Sequence, residues 1–208
     1  MKKISKILAA NRSEIAIRIF RAAEESGIKT AAIYSKEDRF AIHRFKTDES
    51  YLVGEGKGPI QAYLDIDSII KIAKDAKVDA IHPGYGFLSE SPELAEQCEK
   101  NDITFIGPSK EILKRFGNKT EAKKVAEEAK VGTVPSVLVT KENLKSVEKE
   151  VEKIGYPVIV KASWGGGGRG MRVVRSSNEL IDQITTAQSE SLKAFGKDEV
   201  FIEKFLED

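Results

Sequence analysis

Apolar and polar positions along the first hundred residues follow two alternating rhythms. Ile4 to Ala10 is a short apolar run that predicts a strand. Glu14 to Ser26 then sets Ile15, Ile19, Ala22 and Ala23 on one side of a helix with Arg18, Arg21 and Glu25 opposite, and Gly27 stops it. The exchange recurs as strand Thr30 to Tyr34, helix Ser68 to Ala76, strand Asp79 to His82, helix Pro92 to Glu99 and strand Thr104 to Ile106. Ser91 before Pro92 marks a helix start, because serine caps the free N–H groups while proline takes a position whose own N–H would go unpaired. Such alternation predicts a parallel sheet covered by helices, with ligands at the carboxyl ends of the strands.

From Pro108 to Lys130 the pattern changes to two helices of low apolar content, the second opened by Asn118 with Glu121 as a capping box. After the break at Gly132 to Pro135 a smaller unit follows. It reads as strand Ser136 to Val139, helix Asn143 to Ile154, strand Pro157 to Ala162, a glycine loop, strand Met171 to Val174, a helix from Ser177 to about Ser191, and strand Glu199 to Phe205. The apolar pattern runs into Asp208 without cap or tail, so the chain is expected to end inside a larger fold.

Composition narrows the function. With 34 basic and 33 acidic residues in 208, the net charge of +1 gives no global attraction to nucleic acid or to a membrane surface, so any anion site must be local. The one cysteine, Cys98, excludes an internal disulfide and reads as a small buried residue of a helix. No apolar run approaches a membrane span, and Met1-Lys2-Lys3 leads into a strand rather than a signal-peptide segment, so a cytoplasmic protein is expected.

The strongest chemical signal is Trp164-Gly165-Gly166-Gly167-Gly168-Arg169-Gly170 between two predicted strands. Glycine permits positive φ and carries no Cβ, so successive N–H groups can converge on an anion, and Lys161 and Arg169 add charge. Gly165, Gly167 and Gly170 also fit G-x-G-x-x-G, but a dinucleotide site needs a helix directly afterwards, and Met171-Arg172-Val173-Val174 is a β-type run. The segment therefore reads as a flap joining neighbouring strands over a nucleotide, the alternative being a structural turn. Lys161 ends an apolar strand, where it is either a ligand for phosphate beneath the flap or a solvated edge residue.

Two loops at strand ends carry further candidates. His82-Pro83-Gly84-Tyr85-Gly86-Phe87-Leu88-Ser89-Glu90 is a shaped loop in a position that favours ligands, although its aromatics also read as core plugs and His82 as a hydrogen-bonded structural residue. In Ala10-Asn11-Arg12-Ser13-Glu14, Asn11 and Ser13 read as helix caps. Two histidines and one cysteine make a zinc site improbable, and no Walker A spacing occurs.

Together these strings resemble the N-terminal part of the biotin carboxylase family: Ala10-Asn11-Arg12-Ser13-Glu14-Ile15-Ala16-Ile17-Arg18, then His82 to Glu90, Phe105-Ile106-Gly107-Pro108, Lys161-Ala162-Ser163 with the glycine run to Met171, and Glu203-Lys204. Within that family, Gly58 to Leu64 and Trp164 look more like the pyruvate carboxylases than the bacterial acetyl-CoA carboxylase subunit. The resemblance implies an α/β chain: a Rossmann-like, parallel-sheet pre-ATP-grasp domain over 1–107, a helical linker over 108–133, and a small α+β ATP-grasp lid over 134–208, cut before the large catalytic subdomain. It implies a ligase that activates bicarbonate with ATP and Mg²⁺, through carboxyphosphate, and carboxylates biotin held on a carrier domain.

By the same resemblance, Lys119, Lys161, Gly167, Gly168 and Met171 belong to the ATP site. Glu203, Lys204 and Leu206 form its adenine hinge, and Tyr85 and Gly86 lie near biotin. The catalytic arginine, bicarbonate site and metal ligands fall beyond Asp208, so no catalytic residue or metal ligand is assigned, and no carboxylase turnover is expected of this chain alone. Ser13 stands where the family commonly has glycine and is expected to be tolerated as a cap.

Implied partners are ATP, bicarbonate, carrier-bound biotin and the remaining carboxylase domains, with no nucleic acid and no membrane. A homo-oligomer is left open, since Arg18, Arg21 and Glu25 form either a subunit contact or a solvated face. The alternatives are the biotin carboxylase subunit of an acetyl-CoA or propionyl-CoA carboxylase, or a non-catalytic interaction module. A dinucleotide oxidoreductase would need a glycine fingerprint where Ala9-Ala10-Asn11-Arg12-Ser13 stands.

Overall fold

The computed structural model describes residues 3–117, 119–140, 143–144, 146–162, 171–196 and 198–207, with backbone only at 119, 120, 162, 194 and 195. The chain divides after Gly117 into two compact units.

The first unit runs β1 (Lys6–Ala9), α1 (Ser13–Glu25), β2 (Lys29–Tyr34), two 3-10 turns (Glu37–Phe40, Ile42–Phe45), β3 (Glu49–Leu52), α2 (Pro59–Tyr63), α3 (Ile66–Asp75), β4 (Ala80–His82), α4 (Pro92–Lys100), β5 (Thr104–Phe105) and α5 (Lys110–Gly117). Its sheet is parallel, in the order β3-β2-β1-β4-β5. Strand periodicity of two explains the layering. Ile7 and Ala9 of β1 pack with Ala16, Ile19, Phe20 and Ala23 of α1, while Leu8 and Ala10 join Ile69, Ile72 and Ala73 of α3 and Leu94 and Cys98 of α4 on the other face. The order reverses between β1 and β4, which places the crevice of this sheet at their carboxyl ends.

The second unit runs α6 (Lys119–Glu128), β6 (Ser136–Val139), α7 (Val147–Ile154), β7 (Val158–Ala162), β8 (Arg172–Val174), α8 (Ser177–Phe195) and β9 (Val200–Lys204). The sheet is antiparallel in the order β6-β9-β7-β8. Val158, Val160, Val200 and Ile202 pack with Val147 and Val151 of α7 and Leu180 and Ile184 of α8. Alternation turns Ile159, Lys161, Phe201 and Glu203 to the opposite face.

The predicted elements form, and the structure adds the short helix α2 and two 3-10 turns between Tyr34 and Ser68. The strand Glu49–Leu52 has no counterpart in the sequence reading. The helix expected from Asn143 begins at Val147, because the Asn143 side chain is engaged in the preceding turn: its Oδ1 accepts from the Thr140 N–H at 2.8 Å and its Nδ2 donates to the Leu138 carbonyl at 2.7 Å. α8 extends to Phe195, well past Ser191.

Candidate functional site

In the second unit, the strands that flank the predicted flap are adjacent antiparallel neighbours, with Val158 opposite Val174 and Ile159 opposite Val173. The flap itself, with Gly167 and Gly168, lies outside the described residues, as does Asn118 of the expected capping box. Lys119 opens α6, and only its backbone is described.

Lys161 and Glu203 meet on the face turned away from α7 and α8. Lys161 is opposite Phe201 in the β7–β9 register, so Glu203 is its diagonal neighbour, and its Nζ donates to Glu203 Oε2 at 2.6 Å. The second carboxylate oxygen, Oε1, lies 2.7 Å from Nζ of Lys123, which comes from α6. The Lys123, Lys161 and Glu203 side chains are 22, 31 and 19% exposed. Burial acts to raise the Glu203 carboxyl, but hydrogen bonds from Lys123 and Lys161 outweigh it and hold the group below the usual glutamate value. The result is an ionised carboxylate between two ammonium groups, a cationic face suited to phosphate.

The remaining members of the predicted set divide. Lys204, one residue on, points to the other side of the sheet and donates to the carbonyls of Gly155 and Tyr156 at 3.2 and 2.9 Å. Its ammonium group therefore closes the end of α7, and any part it takes in a hinge is through the backbone. Leu206 and Met171 expose apolar side chains, at 72 and 46%. Lys123 was missed by sequence reasoning. It stands beside Lys124 on a charged helix, and nothing local separates the two.

In the first unit, the crevice between β1 and β4 is built by the two loops singled out in the sequence. Asn11 is 3% exposed, and its Nδ2 donates to the carbonyls of Pro83 and Tyr85. Gly84 sits at φ +68°, and a Cβ there would lie 2.8 Å from Asn11 Nδ2, so this position requires glycine. Tyr85 is exposed; its hydroxyl donates to Glu14 Oε2 at 2.8 Å, and Arg18 Nη1 lies 3.4 Å from Glu14 Oε1. His82 is a structural residue: its Nδ1 accepts from the Gly84 N–H at 3.0 Å, and burial lowers its pKa.

Beneath that loop, Arg12 pairs with Asp38 at 3.2 Å and lies over the rings of Tyr63 and Phe87, which stack 5.2 Å apart. The Tyr63 hydroxyl donates to the same Asp38 oxygen at 2.7 Å. Neither Asn11 nor Ser13 caps α1, contrary to the sequence reading. Arg12 is the N-cap residue without a side-chain bond, Asn11 Oδ1 accepts from the Arg12 N–H, and Ser13 takes a left-handed φ of 55°. Cys98 is a fully buried, inert thiol, pushed up to about 12 by burial.

The chain matches the family "Biotin carboxylase, N-terminal domain" over residues 3–113 and "Carbamoyl-phosphate synthase L chain, ATP binding domain" over residues 118–208. It is 56% identical over 206 residues to pyruvate carboxylase of Bacillus subtilis, covering 99% of this chain and 18% of that protein. Among solved structures, it is similar to the biotin carboxylase of Campylobacter jejuni in a β,γ-ATP complex, with TM-score 0.90 and 40% identity over 99% of this chain and 46% of that one. It is also similar to the biotin carboxylase domain of Hydrogenobacter thermophilus 2-oxoglutarate carboxylase with MgADP and bicarbonate, with TM-score 0.89 and 41% identity over 100% of this chain and 45% of that one. The chain thus spans about a fifth of the length of the curated relative it matches. With the first model matching more than half of its residues, the chain belongs to the biotin carboxylase family.

Proposed function

We propose that this chain supplies the biotin-side crevice and the nucleotide lid of a biotin carboxylase within a pyruvate carboxylase, in the cytoplasm. The observation that carries this reading is the Lys161–Glu203 pair, 2.6 Å apart on the face of the sheet turned away from its helices, where β7 leaves for the glycine run. Lys161 neutralises the polyphosphate of ATP, joined by Lys119, Gly167, Gly168 and Met171. The segment Glu203 to Leu206 receives adenine, with Lys204 contributing backbone and Leu206 apolar surface. Tyr85 and Gly86 lie toward biotin, which a carrier domain brings.

In the reaction, a bicarbonate oxygen attacks the γ-phosphorus of ATP as the bond to ADP breaks, giving carboxyphosphate; its carboxyl group then passes to the biotin ureido nitrogen as the C–O bond to phosphate breaks, and the released inorganic phosphate takes up the ureido proton. Such displacement asks for positioning and charge neutralisation rather than an enzyme nucleophile. Pyruvate as the final acceptor, and assembly with further carboxylase domains and a second copy, follow from the same likeness. Among the described residues no group of three or more His, Cys, Asp or Glu side chains could hold a metal ion, so we assign Mg²⁺ no ligand here.

Photolabelling with 2-azido-ATP tests the nucleotide site even where binding is weak. Label on residues 203–206, competed by ATP and reduced in Lys161→Met, is the expected outcome. Label confined to the first unit, or indifferent to ATP, would refute the reading.

A further inference from the structure

In the ligand-free chain the cation assigned to phosphate already has a partner. Lys161 is held by Glu203, and a polyphosphate that recruits it competes with a carboxylate that is largely buried. A buried carboxylate stripped of its counter-charge is costly, which would oppose binding. The structure holds a second cation in reserve on the same carboxylate. Lys123 Nζ lies 2.7 Å from Oε1, the oxygen Lys161 leaves free, and is fixed by two further contacts: the Val134 carbonyl at 3.3 Å and the ring of Phe201, 5.7 Å from its centroid.

These three contacts come from different segments, β9 and the approach to β6, so Lys123 is anchored independently of Lys161. Among the described residues, the cations that face Glu203 from the elements packed on it are Lys161 from β7 and Lys123 from α6.

We propose that Lys123 is a positioning residue of the nucleotide site: the standing counter-cation of Glu203, which holds that carboxylate in place so that Lys161 can turn to an incoming polyphosphate. The inference rests on the reading that Lys161 meets phosphate. Lys123 itself touches no substrate. It acts through Glu203, by making the exchange of partners at Lys161 possible without leaving a bare charge.

The test uses the whole chain, with ¹³C-labelled lysine and glutamate side chains followed by NMR as ATP is added. In the unsubstituted protein, ATP is expected to shift the Lys161 signals while the Lys123 signals stay fixed and Glu203 still titrates below the ordinary glutamate range. In Lys123→Met, Glu203 should titrate at higher pH and ATP should bind about tenfold more weakly, a loss of about 1.4 kcal/mol. Lys123→Arg should restore both.

Movement of Lys123 with ATP, or a folded Lys123→Met with unchanged Glu203 titration and ATP affinity, overturns the proposal alone. Lys161 signals that ignore ATP overturn it together with the reading of the site. Measurements on the unsubstituted chain need no variant, so a Lys123→Met that fails to fold leaves the proposal open to refutation.

Discussion

Asn11 donates its amide nitrogen to the Pro83 carbonyl at 2.7 Å, and so ties the turn after β1 to the loop after β4 across the crevice of the first sheet. The same nitrogen reaches the Tyr85 carbonyl at 2.9 Å. Because Asn11 is 3% exposed, its replacement by alanine leaves two carbonyls without their donor, that of Pro83 in a buried position. Asn11→Ala is expected to destabilise the first unit by about 2–3 kcal/mol. Gly84→Ala, which sets a methyl 2.8 Å from Asn11 Nδ2 at positive φ, should cost at least about 1–2 kcal/mol. Urea unfolding read by the first unit's amide signals checks both; midpoints equal to the parent's would show that the loops are held by something else.

Ser13 carries a strain that can be relieved. At φ 55° a residue with a Cβ costs about 1–2 kcal/mol, and Ser13 lies inside α1, one residue past the N-cap position from which a serine would offset that cost. Ser13→Gly is expected to stabilise the chain by about 0.5–1 kcal/mol after glycine's extra unfolded-state entropy is counted, whereas Ser13→Val should destabilise it. Thermal or urea midpoints decide, and a loss of stability in the glycine variant would contradict this account.

The Cys98 thiol, fully buried and pushed up to about 12, should be silent to thiol reagents at pH 8 in the folded chain. Modification by 5,5′-dithiobis(2-nitrobenzoate) should proceed only as fast as the first unit opens, and urea should accelerate it. Prompt stoichiometric reaction without denaturant would be the contrary result.

The two units should respond to acid in different windows. Burial lowers the pKa of His43, which is held in the first unit with its Nε2 3.1 Å from the Ile33 carbonyl. A depressed folded value means stability that is present above the unfolded histidine value of about 6.5 and lost as pH falls through the folded one. His82, also lowered by burial, acts in the same sense. In the second unit, the lowered Glu203 carboxyl gives stability that is present above about 4.3 and lost only below it. Hydrogen exchange followed by unit should therefore show protection falling first in residues 3–117 as pH drops below about 6.5. Simultaneous loss in both units below about 4.3 would refute the assignment.

Much of this was legible in the chain, and the parts that were not share a cause. The β1 pattern, with Ile7 and Ala9 facing one layer and Leu8 and Ala10 the other, states its own geometry, as does Ser91 before Pro92, whose Oγ accepts from the Leu94 N–H at 3.1 Å. β3 was hidden because an edge strand of four residues, Glu49-Ser50-Tyr51-Leu52, has no apolar stripe to announce it. Asn143 misled because an asparagine that serves a turn looks the same as one that serves a cap. At the site, Lys161 and Glu203 could be named from their strings, but their partner Lys123 could not. A salt bridge between a helix and a strand far along the chain leaves no mark in local sequence.

The position of β9 gives the second unit an order of assembly. It comes after the other three strands of its sheet in sequence and is an inner strand, pairing with β6 on one side and β7 on the other. During synthesis, β6 must wait without a neighbour while β7 and β8 form no more than a hairpin, and the sheet closes only when Val200–Lys204 emerges. The strand that joins β6 to β7 is also the one that carries Glu203, so the four-stranded sheet and its charged cluster come together in a single event.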